Sequence, residues 1–217
     1  GDCIMAFWNA PVDVPTHVAE ACNSALTMFK KLEELNTELE QEAVSNNKEF
    51  RPLKIGIGLN TGSCCVGNMG SNQRFDYSIL GDDVNLCSRL EGQSKGYGVD
   101  IVISETTKIA APEFATIELD LIQVKGKTVP VRIFALIGNS EVQASEWFKD
   151  MSTVHAELIL EYRNQNWEKA KTLVSKARKA AGEKFDGLYD LFDARIEEYK
   201  ANSPGLDWDG VFIATDK

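Results

Sequence analysis

Apolar positions along the chain change period several times, and each change marks an expected element. Cys3 to Trp8 is a nearly continuous apolar run closed by Asn9, Ala10 and Pro11, which predicts a short buried strand. From Thr16 to Glu42 the apolar residues Val18, Cys22, Ala25, Phe29, Leu32, Leu35 and Leu39 recur at helical spacing. They predict one long amphipathic helix with Thr16 as its N-cap after Pro15. In LKIGIGLNTG, residues 53–62, strict alternation of Leu53, Ile55, Ile57 and Leu59 with Lys54, Gly56, Gly58 and Asn60 predicts a half-buried strand. Two glycines on one of its faces imply that another element approaches the backbone there.

Ser63 to Val66 reads as the partner of that strand, followed by a Gly-Asn turn and a polar loop into a strand at Phe75 to Leu80. A helix starting near Asp82 or Asp83 gathers Val84, Leu86, Cys87 and Leu90 in an apolar stripe and leaves Asn85 and Arg89 together on the opposite face. A strand at Asp100 to Ile103, a short helix at Glu105 to Ala111 and two strands within Ala115 to Ile137, joined at Gly126-Lys127, complete a mixed sheet with packed helices.

After Gly138 the pattern becomes purely helical. Three helices are marked by Trp147 to Tyr162, Trp167 to Ala177 and Leu188 to Tyr199. The phrase EYRNQNWEKAKTLVSKA resembles a tetratricopeptide helix pair, but one unit is too little for a solenoid, so a tail packed on the main domain or on a partner is expected. In the closing LDWDGVFIATDK, Trp208 and Phe212 are expected to anchor the segment in an apolar groove.

Composition narrows the function. The 217 residues are 43% hydrophobic, enough for an ordinary core, and carry 33 acidic against 23 basic side chains for a net charge of −10. That balance argues against general affinity for nucleic acid or for anionic membrane surfaces. Five cysteines, Cys3, Cys22, Cys64, Cys65 and Cys87, include no CxxC pair and read as buried thiols of a reducing compartment. His17 and His155, the two histidines, lie far from any Ser or Cys motif, which argues against histidine-driven nucleophilic catalysis. No apolar run reaches the roughly 20 residues of a bilayer span, and no signal peptide is evident.

Taken alone, Asn85 and Arg89 are most simply a solvated helix face, and GIGLNTG lacks the spacing of a dinucleotide or P-loop motif. Four blocks together say more. GDCIMAFWNAP, IGIGLNTGSCCVGNMGS, FDYSILGDDVNLCSRLEG and VKGKTVPVRIFAL stand in the order and spacing of the class III nucleotidyl cyclases, and residues 1–138 resemble that family's catalytic domain. The resemblance implies an α+β fold with a ferredoxin-like core, and divides the chain into residues 1–138, a partial catalytic domain, and 139–217, a helical extension like those on relatives that are often membrane-bound sensors.

It also implies roles. Asp2 matches the second of two metal-binding aspartates, a hard oxygen ligand suited to Mg2+ or Mn2+, two ions per site in the intact enzyme. Asn85 and Arg89 match the pair that orients the ribose and stabilises charge on the α-phosphate. Arg suits this because its guanidinium stays charged and donates two parallel hydrogen bonds. Lys125 matches the lysine holding the terminal phosphates, and Ser78 the purine selector, whose hydroxyl can accept from adenine or donate to guanine. Relatives with a hydroxyl there are usually adenylyl cyclases, so ATP is favoured over GTP. Asp83 is expected to repel a triphosphate slightly.

The family's first metal aspartate and purine-contacting lysine precede the position of Gly1, so these 217 residues alone are expected to be inactive or nearly so. The resemblance further implies a head-to-tail homodimer, Asp2 of one protomer facing Ser78, Asn85, Arg89 and Lys125 of the other, in the cytoplasm or on the cytoplasmic side of a membrane-anchored parent. A guanylate cyclase, a non-catalytic domain binding nucleotide or a partner, and a helical interaction module remain as alternatives.

Overall fold

A computed structural model describes residues 3–71, 73–123 and 129–213. After the first long helix, α1 (His17–Ser45), the elements run β1 (Ile57–Leu59), β2 (Cys65–Ser71), β3 (Arg74–Leu80), α2 (Asp82–Tyr97), β4 (Ile101–Ser104), α3 (Glu105–Ala110), β5 (Ala115–Gln123) and β6 (Val131–Gly138). There follow α4 (Ser140–Ala144), α5 (Glu146–Arg163), α6 (Trp167–Ala181), α7 (Asp186–Ala201) and β7 (Val211–Ile213).

Five strands form a mixed sheet in the order β1-β4-β6-β5-β7, with β1/β4 and β5/β7 parallel and the other pairs antiparallel. The α+β architecture expected from the alternating patterns is therefore present. Both faces are covered, and the strand residues alternate between two cores. Val102, Ile133, Ala135, Ile117 and Leu119 pack under α2 and the C-terminal helices, whereas Leu59, Ile101, Ile103, Phe134 and Leu136 pack with Val18, Cys22 and Ala25 of α1. Two-sided burial explains why β4 reads as a continuous apolar run, not an alternation.

Several expectations need correction. Cys3 to Trp8 forms no strand: among the described residues nothing pairs with it, and Ile4 is 79% exposed. The strand expected over 53–62 shrinks to Ile57–Leu59 because the backbone of Leu53 is tied elsewhere. Its N–H donates to Asn36 Oδ1 at 2.8 Å and its carbonyl accepts from Asn36 Nδ2 at 2.9 Å. The segment after Ser63 does not pair with β1. Cys65–Ser71 pairs instead with Arg74–Leu80 as a separate antiparallel hairpin in which Gly67 faces Ser78, so the Gly-Asn expected to turn lies within a strand. Nor are all the thiols buried: all five are unbridged, but Cys3, Cys64 and Cys65 are exposed, Cys87 is half-buried and only Cys22 is fully enclosed. Loss of water around Cys22, then the charge of Glu113, pushes its thiol up to about 11.

The helical segment packs on the sheet. Phe148, Met151, Leu158, Tyr162, Leu188 and Phe192 join one core with β5 and β6. Trp208 anchors the terminal segment as expected, its ring 5.5 Å from that of Tyr162 and 5.3 Å from that of Tyr199. No helix among the described residues is long and apolar enough to cross a membrane.

Candidate active site

The β3–α2 junction is built by sequence-local rules. Gly81 is the N-cap at φ 157°, and Asp82 and Asp83 put negative charge in the first turn, where the helix dipole favours it. Gly98 ends the helix at φ 62°, a left-handed conformation that side chains resist, with Lys95 in the last turn. Leu86 and Leu90 are buried against the sheet, so the opposite face, with Asn85 exposed and Arg89 half-buried one turn later, looks outward as expected. Ser78 is half-buried on β3, four residues before the helix begins. Ser78 thus lies on the strand, and Asn85 and Arg89 on the helix, that meet at Gly81.

β1 sets the position of this helix by close backbone approach. A Cβ on Gly58 would overlap the Cys87 carbonyl and the Glu91 N–H, which is the reason for the glycine. The Cys87 thiol donates to the Gly58 carbonyl at 3.1 Å, and burial raises its pKa while the Asn60 backbone N–H opposes the rise. Asn60 is a positioning residue the motif reading passed over. Its Nδ2 donates to the Asp83 carbonyl at 2.9 Å and to Asp83 Oδ1 at 3.3 Å, while its Oδ1 accepts from Thr106 at 3.3 Å. Asp83, expected to repel a triphosphate, has its carboxylate turned onto Asn60 and packed against Gly62. An amide at the end of an alternating strand was the available signal, and alternation alone assigns it only to the polar face.

Among the described residues neither Asn85 nor Arg89 makes a side-chain hydrogen bond or ion pair. The half-buried Arg89 guanidinium therefore faces outward with no carboxylate paired to it among the described residues. Asp2 and Lys125, the other two expected site residues, lie outside the described residues. Among the described residues no group of three or more His, Cys, Asp or Glu could hold a metal ion.

Sequence reading also missed a buried polar cluster at the far end of α2. Tyr97 Oη donates to Asp120 Oδ2 at 2.7 Å, and Arg195 Nη1 from α7 donates to the same oxygen at 2.5 Å. Burial, then the Asp120 charge, pushes the Tyr97 hydroxyl well up, so it remains a donor. Burial opposes the charge on Arg195, but Tyr97 and Asp120 more than offset it and keep the guanidinium protonated. Nothing in RIEEYK separates Arg195 from a solvated helix cation.

These features place an amide and a cation one helical turn apart on the outward face of α2, beside a strand–helix corner. A family model described as the adenylate and guanylate cyclase catalytic domain matches residues 1–138, and the chain belongs to that family, one of nucleotide lyases in cyclic-nucleotide signalling that work with divalent metals. It is 33% identical over 139 residues to adenylate cyclase 1 of Rhizobium meliloti, a match covering 64% of this chain and 20% of the relative. To the adenylate cyclase of Anabaena cylindrica it is 31% identical over 140 residues, 62% of this chain and 26% of the relative. The chain therefore spans about a fifth to a quarter of the length of these curated relatives. Among solved structures it resembles the adenylyl cyclase CyaB from P. aeruginosa, with TM-score 0.52 and 30% identity over 60% of this chain and 64% of that one. It also resembles the guanylyl cyclase Cya2, with TM-score 0.50 and 33% identity over 62% of this chain and 64% of that one.

Proposed function

We propose that the chain is the catalytic portion of an adenylate cyclase, converting ATP to 3′,5′-cyclic AMP and pyrophosphate. The observation that carries this reading is the half-buried Arg89 one turn beyond Asn85 on the open face of α2, without a side-chain partner among the described residues. In the reaction the ribose 3′-oxygen attacks the α-phosphorus, the bond to the bridging β-phosphate oxygen breaks, the 3′ proton is released and pyrophosphate departs. Asn85 orients the ribose by hydrogen bonding. Arg89 donates two parallel hydrogen bonds to α-phosphate oxygens and stabilises the charge that builds there in the transition state. Ser78 meets the purine edge, and Lys125 holds the terminal phosphates. Asp2 supplies one carboxylate towards Mg2+ or Mn2+, which polarises the reacting oxygens when bound.

The site is completed by a second copy, Asp2 of one protomer facing Ser78, Asn85, Arg89 and Lys125 of its partner. Exposed apolar side chains beside the corner support this. Phe75 and Leu80 of the hairpin are 64% and 61% exposed, and Met5 is 57% exposed on a segment whose Phe7 lies 6.0 Å, ring to ring, from Tyr77.

Because Cya2 is a guanylyl cyclase at equal similarity, GTP is the second reading, and the Ser78 hydroxyl serves either base. The full-length protein is assayed for cyclic AMP and cyclic GMP with each triphosphate and Mn2+. Arg89→Ala should lower kcat by on the order of a hundredfold to a thousandfold with the fold retained. An unchanged kcat removes Arg89 from the mechanism, and a parent that forms neither cyclic AMP nor cyclic GMP removes the cyclase reading.

A further inference from the structure

Beyond residue 138, outside the family match, the chain closes on the same helix that carries Asn85 and Arg89. Three contacts of different kinds meet at the C-terminal end of α2. The first is the buried cluster: Arg195 and Asp120 are only 7% and 2% exposed, and Arg195 Nη2 also reaches Tyr97 Oη at 3.3 Å. The second is backbone on backbone, since a Cβ on Gly98 would lie 2.9 Å from Gly187 Cα at the start of α7, and one on Gly187 would lie 3.2 Å from Gly98 Cα. The third is the Lys184–Asp100 ion pair at 2.8 Å.

Arg195 is itself held from behind. Its guanidinium lies 3.5 Å from the ring centroid of Phe212, on β7, where Phe212 stands in register with Ile122 of β5. One side chain of the C-terminal segment therefore touches the last residue of α2 and a residue of β5. Those two elements lead, respectively, back to Arg89 eight residues earlier and on to Lys125 five residues later. At 1.5 Å per residue, Arg89 sits about 12 Å along the helix axis from Tyr97, within a rigid rod.

The apolar packing of α5 to α7 on the sheet already attaches this segment. A buried ion pair adds little net stability over apolar residues of the same volume, whereas it does fix one geometry. We propose that Arg195 is a positioning residue for the nucleotide site: acting through Tyr97 and Asp120, it sets where α2 lies along its axis relative to β5, so the C-terminal helical segment is a working part of the cyclising unit. This rests on the cyclase reading of α2.

The test uses the full-length protein and the double variant Arg195→Met/Asp120→Asn, which removes both buried charges together. The expected result is retained folding, an unchanged KM for the triphosphate, a kcat lower by on the order of tenfold to a hundredfold, and faster amide exchange in residues 86–97 but not in α1. Gly187→Ala is the second variant. In the first turn of α7 its methyl would meet Gly98 Cα at 3.2 Å, so the two backbones must part by a few tenths of an ångström, with a kcat-only loss in the same direction. Whichever variant folds decides the matter: unchanged kcat and unchanged α2 exchange overturn the proposal. A parent that cyclises neither ATP nor GTP overturns the cyclase reading instead, and α2 exchange then decides the clamp alone.

Discussion

Replacing Gly58 by alanine would put a methyl group into the backbone of α2. The added carbon would overlap the Cys87 carbonyl and the Glu91 N–H and lie 3.0 Å from Glu91 Cα, all main-chain atoms that no rotamer change can remove. The helix would have to move by on the order of 1 Å, weakening the Cys87 thiol to Gly58 carbonyl bond as it does so. Overpacking of this kind costs about 1–3 kcal/mol, or about 2–12 °C in Tm for a chain of this size. Gly92 provides the control. It lies on the same helix with nothing within 4 Å of an added Cβ, so Gly92→Ala should stabilise the protein by about 0.5–1 kcal/mol through helix propensity. Urea and thermal unfolding of the two variants beside the parent measure both effects. If Gly58→Ala melts at or above the parent, or Gly92→Ala loses as much as Gly58→Ala, close approach of β1 is not what seats α2.

Two further expectations concern titratable groups. At about pH 8 a thiol reagent should label Cys3, Cys64 and Cys65 rapidly and reach Cys22 and Cys87 only on unfolding, because burial keeps the latter two protonated; rapid labelling of all five in the folded protein would contradict their placement. His155 is buried, with Nε2–H donating to the Glu118 carbonyl at 2.6 Å and the Tyr189 hydroxyl 3.4 Å from Nδ1, and burial lowers its pKa below the ordinary value of 6.5. The folded state therefore resists the proton that the unfolded state accepts. The stability contributed by neutral His155 is complete above about pH 6.5 and is lost as the pH falls below it, by at most about 1.4 kcal/mol per unit. His155→Gln should flatten that part of the profile in urea unfolding, and an unaltered slope would assign it to other groups.

The sequence carried the helices best. α1, α2 and the C-terminal helices each bury one stripe against a sheet, so their period survives in the residues, as with Leu86 and Leu90 on α2. Strand pairing was less legible, since alternation says which face a residue takes but not which strand lies beside it. β1 went to β4 and the 65–71 segment to its own hairpin, although a local reading joins them. Exposure at Ile4 and Leu53 was invisible for the same reason: apolar character records a tendency to be covered, not the presence of a cover. Of the candidate site, the outward face of Asn85 and Arg89 followed from helical period alone, whereas Asn60 and Arg195 act through partners 23 and 75 residues away. A single sequence does not display such pairings.

β7 has a consequence for how the protein comes into being. It lies at one edge of the sheet in parallel with β5, pairing Leu121 with Val211 across ninety residues of chain. While the polypeptide is still emerging from the ribosome, β5 stands as an open edge, its backbone donors and acceptors available to any neighbouring strand. Val211–Ile213 pair with that side of β5 once they have followed. A chain ending before Val211 would thus carry almost every group discussed above, yet hold them on a sheet whose rim invites aggregation.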